Sequence, residues 1–293
     1  HMRVTGITGT NGKTTVSHLL GQLWQYLEPP AAVIGTAGSG LMSQLLPEHL
    51  TTPDPVTLQQ RLAAFIAEGA RSLAQGRVEG LQSNTVIATN VSRDHLDYHG
   101  SMRAYAKAKQ RLYTDFPALH RVLNADDKVT SKWGTEDDYW FSLNPNKMGQ
   151  PHTLVASDWQ FHQDSTHLTL NWEYESVRVA SPLLGEFNIA NVLAATTAVL
   201  ASGYSLNAVA PFIHQLQAVP GRMETFRVPG GPLVIVDYAH TPDALQHVLL
   251  AARNHCTGKL WSVFGCGGDR DRGKRPQRSE ERRVGKECRS RWS

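Results

Sequence analysis

The hydrophobic positions of this chain fall into short runs separated by longer stretches of helical spacing. Residues 3–8 form a run of the length of a buried strand, and residues 9–12 a glycine-bearing loop. In residues 13–27, Val16, Leu19, Leu20, Leu23 and Trp24 stand three and four apart, the spacing of one helix face. The same reading predicts strands at 31–35, 85–89 and 121–124, and helices at 56–68 and 102–116. Residues 51–55 read as a turn and 90–100 as a polar segment after the third strand. From 139 to 178 the pattern becomes one of short alternations, such as His167-Leu168-Thr169-Leu170-Asn171-Trp172, which predict antiparallel hairpins. Helices at 188–201 and 206–216, a strand at 232–236, a helix at 242–253 and a strand at 260–264 complete the order.

Strands alternating with helices predict an α/β fold: a mostly parallel sheet with helices on both faces and a small antiparallel part. The stretch 221–231 is the candidate linker between a large unit at 1–220 and a smaller one at 221–277. The smaller unit offers two strands and one helix, too little to bury a core, so it reads as truncated. Residues 278–293 show no apolar periodicity and read as a disordered tail.

Composition narrows the class. The chain has 293 residues, 41% of them hydrophobic, enough for a sizeable core. No apolar run reaches the roughly 18 residues of a membrane span, and the start of the chain is not a signal peptide. Cys256, Cys266 and Cys288 form no zinc-ligand pair and no disulfide framework, so a reducing cytoplasm is the simplest compartment. The net charge of +3 misleads, because residues 278–293 hold six basic and three acidic residues. Without them 23 basic residues face 23 acidic ones, and a neutral body gives no argument for nucleic acid.

The chemistry begins at Gly9-Thr10-Asn11-Gly12-Lys13-Thr14-Thr15, between the first strand and the first helix. Glycines let such a loop curl so that backbone N–H groups face phosphate oxygens, and the helix start adds the positive end of its dipole. Lys13 would reach the β- and γ-phosphates of ATP, and the Thr14 hydroxyl would bind Mg²⁺. The strict G-x-x-x-x-G-K-[ST] pattern is not met, since Ile7 stands where its first glycine belongs. The bland alternative is a glycine-rich turn capped by threonine.

This loop resembles the phosphate loop of the Mur ligases, which activate a carboxylate as an acyl phosphate for attack by an amine. The related folylpolyglutamate synthetases usually end the loop in Gly-Lys-Gly-Ser, unlike Thr14-Thr15 here. A second segment, Asp94-His95-Leu96-Asp97-Tyr98-His99-Gly100, is similar to the diamino-acid-adding branch. Read on chemistry alone, Asp94, His95, Asp97 and His99 could hold a metal or could be a capping aspartate with loop histidines. The resemblance implies that His95 ligates a second Mg²⁺. It also implies that Lys109 is carbamylated and supports Mg²⁺; Lys107 is the nearby competitor, and a basic helix face is otherwise merely solvated.

Further matches carry further implied roles. Gly185-Glu186-Phe187-Asn188-Ile189-Ala190-Asn191 matches a family G-x-x-N-x-x-N at a helix start, placing Asn188 and Asn191 against the nucleotide; helix N-capping by Asn188 is the alternative. Gly221-Arg222-Met223-Glu224 and Asp237-Tyr238-Ala239-His240-Thr241-Pro242 match junction segments, implying nucleotide contacts from Arg222 and Asp237. His240 reads as structural or interdomain. Thr51, Thr52, Gln75 and Arg77 match substrate-contacting positions, and the segment from Gly265 to Pro276 resembles the diamino-acid-adding branch.

One departure stands out. The family's Glu-x-Ser-Ser-His is absent between Arg71 and Gln75, implying loss of a Mg²⁺ ligand and of a strand of the central sheet. The resemblance thus implies a Mur ligase central domain with the start of a Rossmann-like C-terminal domain. It also implies the use of ATP and Mg²⁺, with UDP-N-acetylmuramoyl-L-alanyl-D-glutamate and meso-diaminopimelate as the expected substrates. No nucleic acid or membrane partner is expected, and a monomer is. The chain as written is expected to be impaired. Its rivals are an L-lysine-adding ligase, a folylpolyglutamate synthetase and a non-catalytic ATP-binding fragment.

Overall fold

The computed structural model describes residues 2–46, 55–75, 83–92, 101–227, 229–240 and 242–264. Its body is an 11-stranded sheet. The strands are β1 (Arg3–Thr8), β2 (Ala31–Gly35), β3 (Gly38–Leu41), β4 (Gln44–Leu46), β5 (Ser72–Gln75), β6 (Thr85–Ala88), β7 (His120–Asn124), β8 (Tyr139–Ser142), β9 (Thr153–Phe161), β10 (Thr166–Trp172) and β11 (Glu175–Ser181). They lie in the order β11-β10-β9-β8-β7-β6-β1-β5-β2-β3-β4. Strands β2, β5, β1, β6, β7, β8 and β9 run parallel, and the antiparallel pairs lie at the two edges.

The two faces are built from alternate residues of the same strands, as a period of two requires. Ile7, Val33, Ala74, Ile87 and Val122 point to one side. There they pack under α1 (Lys13–Leu27) and α4 (Glu186–Ala201). Ala32, Ile34 and Leu73 point to the other side, under α2 (Pro55–Ala67), while Val86, Ala88 and Leu123 meet α3 (Met102–Thr114). Helix α3 begins where the Ser101 hydroxyl accepts the Ala104 N–H at 3.2 Å, satisfying one orphan donor of its first turn.

The structure corrects several expectations. Among the described residues the sheet has no gap at its centre: Ser72–Gln75, which the sequence reading passed over, is β5, buried and parallel between β1 and β2. Strand β8 belongs to the parallel part, since alternation reports a half-buried strand and not its direction. Residues 206–216 do not form one α-helix. They are a short α5 (Leu206–Val209) followed by a 3₁₀ stretch, Ala210–Gln215, where Pro211 has no N–H to continue an α-helical ladder. Residues 260–264 form no strand, and no described strand pairs with them.

Beyond the large unit, β12 (Glu224–Arg227) pairs antiparallel with β13 (Leu233–Val236). Helix α6 (Pro242–Asn254) follows, and Ala251 packs with Leu184 and Met223 to seal the unit onto the larger one.

Candidate functional site

The loop after β1 emerges at the carboxyl end of the parallel strands, where open α/β sheets place their ligands. It is held by the end of β6. The Thr10 N–H donates to the Asn90 carbonyl at 2.8 Å, and the Asn11 N–H to Asn90 Oδ1 at 2.9 Å. Asn90 Nδ2 and Thr89 Oγ1 both donate to the Asn11 carbonyl, at 3.1 and 2.6 Å. Asn124, at the end of β7, donates from Nδ2 to the Thr89 carbonyl at 2.8 Å. Gly12 takes a φ of 86° and starts α1 with no side-chain cap, which leaves the first-turn N–H groups facing outward.

Two ammonium groups converge on this loop. Lys13 Nζ donates to the carbonyls of Gly9 and Thr10 at 2.7 and 2.8 Å, and Lys109 Nζ donates to the Gly9 carbonyl at 2.8 Å. Lys109 also lies over the Tyr105 ring, 4.5 Å from its centroid, and the Tyr105 hydroxyl is 3.2 Å from Thr10 Oγ1. Helix α3 is thereby tied to the loop at two points one turn apart. Thr14 Oγ1 sits 2.8 Å from Thr36 Oγ1. These two hydroxyls, one at the start of α1 and one just after β2, are neutral, hard oxygen donors of the kind that suits Mg²⁺. Among the described residues no group of three or more His, Cys, Asp or Glu is placed to hold a metal by itself.

A cleft of about 500 Å³ opens from this loop. Residues 10–15, Thr89, Asn90 and Asn124 form its floor, α4 contributes Phe187, Asn188 and Asn191, and α6 contributes Ala244, His247 and Val248. Asn188 is not the helix cap, since Gly185 holds that position. Instead Asn188 Nδ2 donates to the Leu184 carbonyl at 2.8 Å, and its Oδ1 accepts from Asn191 Nδ2 at 2.9 Å. That bond aims Asn191 at the loop: a Cβ on Gly12 would come within 2.5 Å of Asn191 Oδ1. Arg222 and Asp237 also line the cleft. Asp237 accepts the Met223 and Ala239 N–H groups at 2.9 and 2.8 Å, and the Arg222 guanidinium lies 5.3 Å from the Tyr238 ring centroid. The His240 ring bonds locally, to the Tyr238 carbonyl.

The loop residues, Asn188, Asn191, Arg222 and Asp237 are therefore brought together, with Lys109 on the Gly9 carbonyl behind the loop. Gln75 ends β5, buried at the same end of the sheet but outside the cleft lining. Thr51, Thr52, Arg77 and His95 lie outside the described residues. Sequence reasoning missed Tyr105, Asn124, Phe187 and His247. The one usable signal was for Asn124, a polar residue directly after a strand at the sheet's carboxyl end.

The family model described as the Mur ligase middle domain matches residues 7–199, and that described as the Mur ligase glutamate ligase domain matches residues 221–286. The chain is 44% identical to the UDP-N-acetylmuramoyl-L-alanyl-D-glutamate--2,6-diaminopimelate ligase of Haemophilus influenzae strain 86-028NP and 45% identical to that of strain Rd. Each match covers 94% of this chain, and the chain spans 59% of the length of each of these curated relatives. A solved structure of a ligase of the same name superposes with a TM-score of 0.79 at 36% identity, over 96% of this chain and 59% of that one. A folylpolyglutamate synthase from Mycobacterium tuberculosis, complexed with ADP and AMPPCP, shares the fold alone, at a TM-score of 0.68 and 18% identity over 89% of this chain and 68% of that one.

Proposed function

The chain belongs to the Mur ligase family, and we propose that it forms the ATP-binding part of a cytoplasmic, monomeric ligase joining meso-diaminopimelate to UDP-N-acetylmuramoyl-L-alanyl-D-glutamate. The observation that carries this is the loop at residues 9–15, clamped to β6 at the mouth of a cleft between α4 and α6. Residues 1–220 would be the ATP-binding domain and 221–277 the first part of the C-terminal domain.

In this reading the loop N–H groups and Lys13 hold the β- and γ-phosphates of ATP. Lys13 exchanges its two carbonyl partners for phosphate oxygens as nucleotide enters. The γ-phosphoryl group passes to the γ-carboxylate of the D-glutamyl residue, forming an acyl phosphate and ADP. The amine of the diamino acid then attacks the acyl carbon and phosphate leaves, giving the amide. Bound Mg²⁺ supplies neutralisation of the charge that builds on the phosphoryl oxygens. Thr14, His95 and a carbamylated Lys109 are its proposed ligands. Asn188, Asn191, Arg222 and Asp237 are assigned to the nucleotide, and Thr51, Thr52, Gln75 and Arg77 to the muramoyl peptide.

A second reading, an ATP-binding fragment without turnover, is favoured by one observation. No Glu-x-Ser-Ser-His stands between Arg71 and Gln75, where β5 runs. Two measurements separate the readings. A non-hydrolysable ATP analogue should bind the folded chain, and Lys13→Ala should weaken that binding about 100-fold, the worth of a charge-assisted contact or two. Folded chain without affinity for the analogue would overturn both readings. ADP release requiring both the muramoyl dipeptide and a diamino acid marks the ligase, and comparing meso-diaminopimelate with L-lysine tests the substrate. For this chain alone we expect ligation at background.

A further inference from the structure

His255 follows α6 directly, and no step proposed above uses it. It is 5% exposed, and both ring nitrogens are engaged. The Gly185 N–H donates to Nε2 at 2.9 Å, while Nδ1 faces the carbonyl of His162 in the β9–β10 turn. The ring also meets Phe161 edge-on, 4.9 Å between centroids. An N–H can only donate, so Nε2 must be bare and Nδ1 must carry the hydrogen that goes to His162. Burial is the main reason the imidazole is held below its ordinary pKa. A neutral ring of one defined tautomer satisfies every partner present.

The two anchoring points explain what the ring does. Gly185 opens α4, the helix that carries Asn188 and Asn191 into the cleft. Helix α6 supplies the facing wall through His247 and Val248. The approach of the two is close: a Cβ on Gly185 would lie 2.9 Å from Ala251 Cβ, and Gly185 itself takes a φ of 89°. The apolar packing of Leu184, Met223 and Ala251 also joins the two walls, as does the chain itself around Gly221 and Met223, both at positive φ. Apolar packing is non-directional, and the hydrogen bonds of His255 add the orientation.

We propose that His255 is a positioning residue: its neutral imidazole pins α6 to the start of α4 and to the β9–β10 turn, and so sets the width of the nucleotide cleft. The role in binding rests on the ATP reading above; the clamp itself does not. Loss of one buried hydrogen bond at a site that orders a ligand corresponds to about tenfold in affinity.

The test uses the full chain with His255→Ala and His255→Gln. Amide hydrogen exchange is followed without nucleotide in residues 185–191 and 242–254, and equilibrium binding is measured with a non-hydrolysable ATP analogue. The clamp requires His255→Ala to speed exchange in both segments, to leave β1 and β6 as protected as before, and to weaken binding about tenfold. His255→Gln keeps an acceptor and a donor and should recover both readouts. Unchanged exchange in His255→Ala overturns the proposal, as does a loss that folded His255→Gln fails to recover. If His255→Ala does not fold, His255→Phe, which keeps the ring and neither hydrogen bond, replaces it under the same criteria. Wild-type chain that does not bind the analogue sinks the ATP reading, while the exchange result still decides the clamp.

Discussion

Asn90 pairs with the backbone of Asn11 through both ends of its amide, Oδ1 accepting the N–H at 2.9 Å and Nδ2 donating to the carbonyl at 3.1 Å. The pair does for the loop after β1 what a strand partner does for a strand: it leaves the loop backbone one conformation. Asn90→Asp keeps the acceptor but sets a carboxylate oxygen against the Asn11 carbonyl, and adds negative charge beside the proposed phosphates. Its affinity for an ATP analogue should fall further than that of Asn90→Ala, by roughly tenfold beyond it. Calorimetric titration of the two variants checks this; equal losses would mean that the pair does not shape the loop.

Gly12 cannot take a side chain for two separate reasons, its φ of 86° and the Asn191 Oδ1 that a Cβ would strike at 2.5 Å. Gly12→Ala should cost about 1–3 kcal/mol of stability. Adding Asn191→Ala should recover only the steric share, leaving the backbone share in place. Urea denaturation of the single and double variants measures the split. Full recovery in the double variant would show that the backbone conformation carries no cost.

His18 sits in α1 at 3% exposure, and its Nε2 has no hydrogen-bond partner among the described residues. Burial lowers its pKa from 6.5 to about 4. The folded state therefore binds this proton more weakly than the unfolded chain does. The stability it contributes is whole above about pH 6.5 and drains away as pH falls towards 4, by at most about 3 kcal/mol. Burial lowers His120 and His255 as well, so they act with the same sign. His18→Leu should flatten the loss of unfolding free energy between pH 7 and pH 4.5. A slope equal to that of wild type would contradict the assignment.

Tyr105 touches the loop with its hydroxyl and Lys109 with its ring. Tyr105→Phe should cost about 1 kcal/mol of stability and leave analogue affinity nearly intact. Tyr105→Leu also removes the face on which the Lys109 ammonium rests, a contact worth about 0.5–2 kcal/mol. Denaturant midpoints and binding constants for both variants separate the two contacts. Identical binding by the two would mean that the ring does not help to place Lys109.

Much of the site was legible in advance because its signals are local. The glycines and Lys13 of the loop, the three-and-four spacing of α1 and the short run of β1 are patterns over fewer than 20 residues, and the structure has α1 at Lys13–Leu27 as expected. Each depends on the chain's own geometry, with no distant partner needed. Asn188 and Asn191 both line the cleft, but their side chains do different things. Asn188 spends its amide on Leu184 and Asn191, leaving Asn191 Oδ1 to face the loop. That division depends on side-chain rotamers, about which spacing is silent.

By itself, then, the sequence determined the α/β class, the glycine-bearing loop between β1 and α1 and the order of most elements, since local periodicity and backbone freedom are written residue by residue. The tertiary structure alone decided that Ser72–Gln75 fills the middle of the sheet, that Asn90 clasps Asn11, that Asp237 caps Met223 and that His255 reaches Gly185. Three of these pairings, those of β5 with β1, of Asn90 and of His255, join residues about 70 or more positions apart, and that of Asp237 joins residues 14 apart across a turn. A hydrogen bond or strand ladder of that kind exists only once the packed core has brought its two halves to the same place.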